Sequence, residues 1–191
     1  MYNHRAIFKA GKILKVQPLL LPGIKLITPQ VYKDARGYFL ETYEKERYGA
    51  ASALKEAKQE NLAYSHYGVI RGMHFQSEPG QEKLIQVLQG RIYDVFVNID
   101  TSSPYFGKWQ GIYLDAEEHL QLYIPVGYAH GYCCVSESAL VLYKVSAPYN
   151  PKTEKGFLYN DEEVGIKWPI INPIVSERDH LAPRLRELEL A

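Results

Sequence analysis

The chain has 191 residues, and its 22 lysines and arginines balance its 22 aspartates and glutamates, so the formal net charge is zero. This length favours one domain and suffices for a sizeable hydrophobic core. A neutral chain has no general attraction to nucleic acid or to an anionic membrane surface, so we expect neither partner. An anionic ligand would therefore have to be held by a local cluster of positive side chains.

The two cysteines, Cys133 and Cys134, are neighbours in the sequence. Adjacent residues of a strand point to opposite faces, so we expect no disulfide between them, and their spacing does not suit a metal site. Unpaired cysteines are typical of a reducing compartment. The N-terminal segment lacks the apolar stretch of a signal peptide, and no segment approaches the length of a membrane-spanning helix. These features predict a soluble, cytoplasmic protein.

Residues 1–15 are polar and weakly patterned, and we interpret them as an N-terminal extension. The remainder, 16–191, is predicted to form a single domain. Prolines and a glycine interrupt its first apolar segment, 16–28, which is typical of an edge strand with bends. A turn signal then precedes a short strand at 38–41. Several alanines favour one helix near residues 50–58.

From residue 61 onward the pattern has the period of two that is typical of strands. Strands at 83–88 and 92–99 are separated by Gln89-Gly90, which predicts a two-residue hairpin. Further strands are predicted at 109–114, 120–124, 131–135 and 140–145. Many short strands with turns about every eight to twelve residues predict a mainly β sandwich or barrel. The tail, 176–190, is predicted to contain one or two short helices.

The segment 68–76 places Arg71 and His74 three residues apart in a predicted strand. Strict alternation would put them on opposite faces, so both reach one pocket only if Gly72 forms a bulge or kink. His74 is then a candidate general base. The alternative is a core histidine with a satisfied hydrogen bond, but unpaired cations beside it on a core face would be costly.

Three further residues have both a structural and a chemical interpretation. Lys83, at the start of the next strand, either extends to water at the strand end or stabilises an oxyanion in a cavity beside His74. Tyr143 is a half-buried strand tyrosine by its spacing alone. Asp179 follows Ser176 in a helix N-cap pattern, and it either belongs to that cap or orients His74.

His130 lies in the pattern Pro125-x-Gly127-x-x-His130, which is found in the second motif of the cupin barrels. In many cupins this histidine binds a metal. The first cupin motif requires His-x-His, and here the second histidine is replaced by Gln76, so the ligand set is incomplete. A metal is therefore not expected, and His130 would instead orient the substrate or close the pocket.

Taken together, these motifs resemble the dTDP-4-dehydrorhamnose 3,5-epimerase family, and the resemblance runs from about residue 20 to residue 180. Departures are mild; for example, Tyr128 and Tyr132 stand where phenylalanine is common. The matching motifs occur in the correct order: Asp34-x-Arg-Gly37 with Phe39 and Glu41, Gln59-x-Asn61, Gly68-Val-Ile-Arg-Gly-Met-His74 with Gln76, Lys83-Leu, Gly107-Lys-Trp109, Ile124-Pro-Val-Gly-Tyr-Ala-His-Gly131, Leu142-Tyr-Lys144, Tyr149-x-Pro151, Asn160-Asp161 and Ile166-x-Trp168-Pro169.

The resemblance implies a cupin-type jelly-roll barrel with a few short helices, in a homodimer that exchanges N-terminal strands. It implies a metal-free enzyme without a cofactor that acts on the nucleotide sugar dTDP-4-keto-6-deoxyglucose. His74 would be the base, Asp179 would hold its imidazole, Lys83 would stabilise the enolate and Tyr143 would return a proton at C5. The substrate-binding residues that the resemblance implies are Arg36, Glu41, Gln59, Asn61, Arg71, His130 and Tyr149.

Three alternatives remain open at this point. Close relatives epimerise C3 only or act on other 4-keto sugars. A metal-dependent cupin enzyme would use His74, His130 and a carboxylate such as Glu78. A non-catalytic module would bind a nucleotide sugar without proton exchange, although the joint presence of Lys83 and Tyr143 with His74 argues against it.

Overall fold

A computed structural model describes residues 14–190, and nearly all of its regular structure is β. The two helices are short, α1 (Lys45–Ala50) and α2 (Glu177–His180), and a 3-10 turn covers Leu185–Glu187. The strands are β1 (Leu14–Pro18), β2 (Lys25–Pro29), β3 (Val31–Asp34), β4 (Gly37–Leu40), β5 (Gln59–His66), β6 (Val69–Gln76), β7 (Lys83–Gln89), β8 (Arg91–Asn98), β9 (Trp109–Asp115), β10 (Gln121–Ile124), β11 (Tyr128–Cys134), β12 (Ser138–Val145), β13 (Glu154–Gly156) and β14 (Ile174–Val175).

Two sheets carry most of these strands. Sheet I has the order β1-β2-β10-β7-β12-β5, and sheet II has the order β13-β6-β11-β8-β9. The pairings within these orders are antiparallel, whereas β14 adds to β6 in parallel. Strands β3 and β4 form a separate hairpin. This arrangement confirms the mainly β prediction.

The largest apolar cluster lies between the two sheets. Its members include Ile85 and Val141 from sheet I and Phe96 and Tyr132 from sheet II, all of them fully buried. Alternation along each strand leaves a second apolar face outward, and each outer face is covered. Residues around Phe157 and the C-terminal segment cover sheet II, and α1 with the segment after it covers sheet I. Burial of these faces is the main stabilising term.

The predicted hairpin between residues 88 and 92 was wrong. The two strands exist, but β7 belongs to sheet I and β8 to sheet II, so they do not pair with each other. Gly90, with φ +74°, turns the chain from one sheet to the other. Such a corner lets Val87 and Ile92 face the same core from opposite sides, which a flat hairpin would not allow.

The predicted helix near residues 50–58 was also misplaced, because α1 ends at Ala50. The helix begins early because the Glu44 carboxylate caps it, accepting hydrogen bonds from the backbone N–H groups of Glu46 and Arg47. Ser52 then adopts φ +51°, which ends the helical path. Leu54 follows as a fully buried contact under sheet I rather than as a helical residue.

At both ends of the chain, most of the described residues form the structure that the sequence predicts. Leu14 and Lys15, which we assigned to the extension, belong to β1; the rest of the extension lies outside the described residues. The bent edge strand is β1 and β2, with β1 outermost in sheet I. The tail contains the expected short helical segments. Within residues 14–190, no helix is long and apolar enough to span a bilayer.

Candidate active site

A cavity of about 570 Å³ opens between the two sheets, and it collects most of the candidate residues. Sheet II supplies one wall through β6 and β11, and sheet I supplies the opposite wall through β7 and β12. This size fits a drug-sized ligand. The predicted residues that line it are Asn61, Arg71, His74, Lys83, His130, Tyr143, Tyr149 and Asp179.

Gly72 makes the wall on sheet II possible. It has φ +127°, and a Cβ there would lie 2.6 Å from the Cα of Gly131 on the paired strand. The register of β6 against β11 shifts at this point, between the pairs His74–His130 and Arg71–Tyr132. The shift breaks strict alternation, so Arg71 and His74 both line the cavity. The predicted kink at Gly72 is confirmed.

His74 is hydrogen-bonded to Asp179, whose Oδ1 lies 2.6 Å from the histidine Nε2. The other carboxylate oxygen accepts the backbone N–H of Gly72 at 3.3 Å. Burial raises the pKa of Asp179, but the hydrogen bond and charge of His74 and the Gly72 N–H outweigh it, so this pKa lies below its usual range. An ionised Asp179 accepts the proton on Nε2, which leaves Nδ1 of His74 as the proton acceptor.

The capping role near Asp179 belongs to Ser176. Its hydroxyl accepts the backbone N–H of Asp179 at 3.1 Å, which fixes the start of α2. The Asp179 side chain is therefore free to reach the histidine across 105 positions of sequence. Of the two roles considered for Asp179, its carboxylate has the contact with His74.

Lys83 lies at the beginning of β7, and only 9% of its surface is exposed. Its ammonium group donates to the side-chain carbonyl of Gln81 at 2.6 Å. Burial lowers the pKa of Lys83 to about 8, and the charge of Glu154 opposes this shift. The side chain is thus in the cavity rather than extended to water, and it carries its charge at neutral pH.

Tyr143 faces His74 from the opposite sheet, since β12 belongs to sheet I and β6 to sheet II. Burial raises the pKa of its hydroxyl well above the usual range, and the neighbouring Tyr132 and Asp94 raise it further. Tyr143 therefore holds its proton firmly until a strong base, such as a carbanion, is presented to it.

A second histidine–aspartate pair lies beside the first. His130 Nε2 is 2.9 Å from Oδ2 of Asp94, and both side chains are almost fully buried. Burial raises the pKa of Asp94, and the charge and hydrogen bond of His130 oppose that shift. Asp94 was not predicted as a site residue, although it shares a face of β8 with the core residues Ile92 and Phe96. A lone acid on an apolar face was the signal, because such a group requires a partner.

The cavity lining includes three residues that the resemblance assigns to substrate binding: Asn61, Arg71 and Tyr149. Arg71 donates to the Ser65 hydroxyl at 3.0 Å and to the Tyr64 carbonyl. Gln59 connects Asn61 to Tyr149. Its side chain donates a hydrogen bond to Asn61 at 2.7 Å and accepts one from the backbone N–H of Tyr149 at 2.8 Å. Gln59 thus supports the lining without belonging to it.

Two predicted residues are not brought to this cavity within the chain. Arg36 lies on the exposed β3–β4 hairpin and pairs with Asp34. Glu41 follows the hairpin and pairs with Arg47 beside α1. Their role in substrate binding stays a prediction.

An ion pair that the sequence does not predict lies at the rim of the cavity. Arg178 Nη1 lies 2.6 Å from a carboxylate oxygen of Glu154, and both residues line the cavity next to His74 and Asp179. Glu154 reaches this place because β13 pairs with β6 at Gln76. Neither residue stands in a motif that marks it, so the pair becomes visible only through the folded contacts.

The described residues do not contain a group of three or more histidine, cysteine or acidic side chains arranged to hold a metal ion. His74 and His130 are paired in register, but each is committed to its own aspartate. Glu78, the carboxylate of the metal alternative, is not among the residues that line the cavity.

This geometry can perform proton transfer on both faces of one bound molecule. A base oriented by a carboxylate stands on one wall, and an acid with a raised pKa stands on the other. A lysine cation lies in the same space, where it can stabilise a negative oxygen. A site of this kind suits inversion at a carbon atom next to a carbonyl group.

The family model described as dTDP-4-dehydrorhamnose 3,5-epimerase matches residues 18–187. The chain is 43% identical over 160 residues to the dTDP-4-dehydrorhamnose 3,5-epimerase of Neisseria gonorrhoeae. The aligned residues make up 83% of this chain but 49% of that protein. The chain therefore spans about half the length of that relative. It is 37% identical to the dTDP-4-dehydrorhamnose 3-epimerase of Streptomyces niveus, over 91% of this chain and 85% of the relative.

Solved structures agree with the sequence relatives. The 3,5-epimerase of Legionella pneumophila, in complex with dTDP-4-keto-L-rhamnose, superposes with a TM-score of 0.88 at 35% identity, covering 92% of this chain and 95% of that chain. The predicted cupin-type jelly roll is thereby confirmed. The chain belongs to the dTDP-4-dehydrorhamnose 3,5-epimerase family.

Proposed function

We propose that this protein converts dTDP-4-keto-6-deoxy-D-glucose to dTDP-4-keto-L-rhamnose by inverting C3 and C5, a step in the synthesis of dTDP-L-rhamnose. The observation that carries the proposal is the placement of His74 and Tyr143 on opposing sheets, across one cavity. Family membership and the ligand named in the Legionella structure support the substrate.

The ketone at C4 acidifies the protons on C3 and C5. His74 removes one of these protons through Nδ1, because its Nε2 is committed to Asp179 at 2.6 Å. Asp179 holds the imidazole in that tautomer and stabilises the imidazolium that forms. The product of this step is an enolate with its charge on the C4 oxygen.

Lys83 stabilises that oxygen. Its cation is fixed in the cavity before the reaction, so it favours a charge that appears only as the proton leaves. Tyr143 then returns a proton to C5 from the face opposite His74, which inverts the centre. A raised pKa suits this role, because the phenol must remain protonated until the carbanion is formed.

The nucleotide would lie along the rim. Arg71 offers a planar guanidinium for the diphosphate, and Asn61 and Tyr149 are held in place by Gln59. His130, tied to Asp94, would line the sugar pocket with a fixed orientation. The proposed chemistry uses no metal and no cofactor.

We further propose a homodimer in which the β3–β4 hairpin of one chain reaches the cavity of its partner. The hairpin contains Arg36 and the exposed aromatic residues Tyr38 and Phe39, and it pairs with neither main sheet. Mixing an Arg36→Ala chain with a His74→Ala chain should then restore one complete site per mixed dimer. Recovery of activity on mixing supports the exchange, and no recovery from dimers shown to mix overturns it.

The protein is proposed to work in the cytoplasm. Cys133 and Cys134 are both buried, and neither forms a disulfide. A reducing compartment would keep both thiols in this state.

The test is proton NMR of dTDP-4-keto-6-deoxyglucose in heavy water with a chelator present. Deuterium that enters both C3 and C5 supports the metal-free double epimerase. His74→Ala should abolish exchange at both centres, a loss of at least about a hundredfold. Tyr143→Phe should spare proton removal and impair completion at C5.

Other outcomes identify the alternatives. Deuterium at C3 alone indicates a 3-epimerase, the activity named for the Streptomyces niveus relative. Bound substrate without exchange indicates a binding module. Activity that the chelator abolishes and a metal restores indicates a metal-dependent enzyme, and near-normal turnover of His74→Ala would contradict the assignment of the base.

A further inference from the structure

We propose that Gln81 is a positioning residue for Lys83: its side chain holds the lysine ammonium in the cavity, at the place from which the cation stabilises the C4 oxygen. The inference rests on the proposed function, since it takes Lys83 to be the group that stabilises the enolate. Gln81 itself does not belong to the motifs that carry the family resemblance.

Gln81 and Lys83 face the same cavity because the chain is extended where they lie. Two hydrogen bonds between Glu82 and Ser146 continue the pairing of β7 with β12 by one residue beyond Lys83. Residues two apart on an extended chain point to the same face, so Gln81 and Lys83 both line the cavity. Glu82 points the other way, where its carboxylate accepts the Tyr123 hydroxyl at 2.8 Å.

The orientation of the Gln81 carboxamide is fixed at both of its ends. Its Nε2 donates to the Ala147 carbonyl at 2.7 Å, and its Oε1 accepts from the Lys83 ammonium at 2.6 Å. A half-turn of the amide would place N–H groups against the ammonium and an oxygen against the carbonyl, which removes both hydrogen bonds. Gln81 therefore presents an acceptor to Lys83.

The anchor of this carboxamide is itself held in place. The Ala147 carbonyl belongs to a short segment, 147–149, that two more glutamine side chains contact. Gln76, from sheet II, donates to the carbonyl of the second residue of this segment at 3.3 Å, and Gln59, from sheet I, accepts the backbone N–H of the third at 2.8 Å. Contacts from both sheets therefore fix the backbone to which Gln81 is tied.

Glu154 is the charged neighbour that acts on Lys83. Its charge favours the lysine cation and so opposes the lowering of the Lys83 pKa by burial. Its carboxylate is paired with Arg178, however, and the hydrogen bond that the ammonium makes within residues 14–190 goes to Gln81. Gln81 thus fixes where the cation stands, and Glu154 helps to keep it charged. The other ionisable side chains that line the cavity are Arg71, His74, His130, Tyr132, Tyr143, Tyr149 and Asp179.

A held ammonium serves both inversions. An ammonium group has three N–H donors, and Gln81 takes one of them, which leaves two for the C4 oxygen. The enolate that forms by loss of a proton from C3 or from C5 has its charge on that same oxygen. A cation fixed beforehand needs no rearrangement as this charge appears, whereas a free lysine side chain would lose conformational entropy. Removal of Gln81 should therefore slow both centres alike.

The experiment measures kcat, KM and deuterium entry at C3 and C5 for Gln81→Leu. Leucine removes the acceptor at nearly equal volume, so kcat should fall about tenfold, the effect of losing one hydrogen bond to a charged group. Exchange should slow by the same factor at both centres. KM should stay near its wild-type value, because the lost contact is made to Lys83 and not to the substrate.

The pH dependence of kcat provides the sharper test, with Gln81→Glu as a second variant. Loss of the acceptor disfavours the Lys83 cation, so in Gln81→Leu the alkaline fall in kcat, expected near pH 8, should move to lower pH. A carboxylate favours the cation, so in Gln81→Glu the fall should move to higher pH. Each midpoint should move by about one pH unit. A merely structural role would lower the melting temperature without opposite shifts.

Gln89→Leu is the matched control. Gln89 lies at the exposed far end of the same strand, β7, where its side chain donates to the Ser138 hydroxyl at 3.4 Å. This variant should leave kcat, KM and the midpoint of the alkaline fall at their wild-type values. Thermal melts of the three variants report folding.

The outcomes separate this inference from the proposed function. If Lys83→Arg loses the alkaline fall but both Gln81 variants keep it at the wild-type pH, the inference is overturned and the assignment of Lys83 stands. Shifts of the same sign in the two variants, or an altered ratio of C5 to C3 exchange, would also overturn it. If the fall persists in Lys83→Arg, the assignment of Lys83 fails, and the inference fails with it.

Discussion

The two histidine–aspartate pairs take their histidines from neighbouring strands of sheet II and differ mainly in their surroundings. His74 and His130 are directly opposite each other in the register of β6 and β11. The His74 side chain is 30% exposed and opens into the cavity, whereas His130 is 6% exposed and Asp94 is fully buried. The pair His74–Asp179 is thus partly exposed to the water of the cavity, and the pair His130–Asp94 is closed off from it. We call them the wet pair and the dry pair.

The difference acts on the aspartates in opposite directions. The pKa of Asp179 lies below its usual range, because His74 and the Gly72 N–H outweigh the effect of burial. The pKa of Asp94 lies above its usual range, because burial outweighs the effect of His130. In the proposed mechanism the first pair accepts a proton from the substrate, and the second holds the His130 ring in place. Residue type alone does not distinguish these roles; hydration does.

The largest expected effect on kcat comes from replacing each aspartate in turn by asparagine, which removes its charge. Asp179→Asn should lower kcat about a hundredfold or more, because the Gly72 N–H keeps the amide oxygen, and the amide NH2 then faces Nε2 of His74 and no longer holds the reactive tautomer. Asp94→Asn should lower kcat less than about tenfold, since the amide oxygen can still accept from His130 in the dry pair. Steady-state kinetics of the two variants check this prediction. Equal losses would show that both pairs act on protons.

A second effect concerns the lysine cation in the cavity that contains both histidines. Lys83 loses its charge as the pH rises through about 8, so kcat should fall about tenfold per pH unit above that value. Lys83→Arg should have a lower kcat but retain its charge, and the alkaline fall should then disappear from the accessible range.

Lys144→Arg is the matched control for this pH profile. Lys144 is also nearly buried, but it pairs with Glu60 at 2.9 Å and does not line the cavity. Its substitution should leave the fall near pH 8 in place. An alkaline fall that persists in Lys83→Arg would assign it to another group.

The smallest effect is a difference in how the two aspartates contribute to stability with pH. Asp179 has a depressed pKa when folded, so its contribution is present above pH 3.8 and is lost as the pH falls through its folded pKa. Asp94 has a raised pKa when folded, so it costs stability at neutral pH and this cost disappears as the pH falls.

Urea denaturation from pH 7 down to about pH 2, below the ordinary aspartate pKa, should therefore give opposite slopes. The difference in unfolding free energy between wild type and Asp179→Asn should shrink with acidification, and that between wild type and Asp94→Asn should shift in favour of wild type. Slopes of the same sign would mean that the two environments do not differ as described.

Much of this site could be predicted from the sequence, because its residues stand in ordered motifs. Arg71 and His74 needed a kink that Gly72 alone among nearby residues permits, and φ +127° provides it. Lys83 and Tyr143 were predicted through the resemblance, and the cavity contains both. Local pattern and family motif were sufficient for these positions.

The remaining features depend on contacts between distant segments. The period of two predicted β7 and β8 but not that they separate into different sheets, since pairing is decided by long-range packing. Asp94 required knowledge of the facing strand, 36 positions away. Arg178 and Glu154 meet only because β13 and α2 both lie against β6.

The carboxylate that orients His74 arrives late in the chain, from α2, which follows all the barrel strands. Synthesis runs from the N-terminus, so the barrel strands, Lys83 and Tyr143 are in the polypeptide before Asp179 is. A nascent or clipped chain that ends before α2 would lack the group that sets the tautomer of His74, together with the C-terminal residues that cover sheet II. The carboxylate on which the proposed proton abstraction depends is therefore among the last groups that translation supplies.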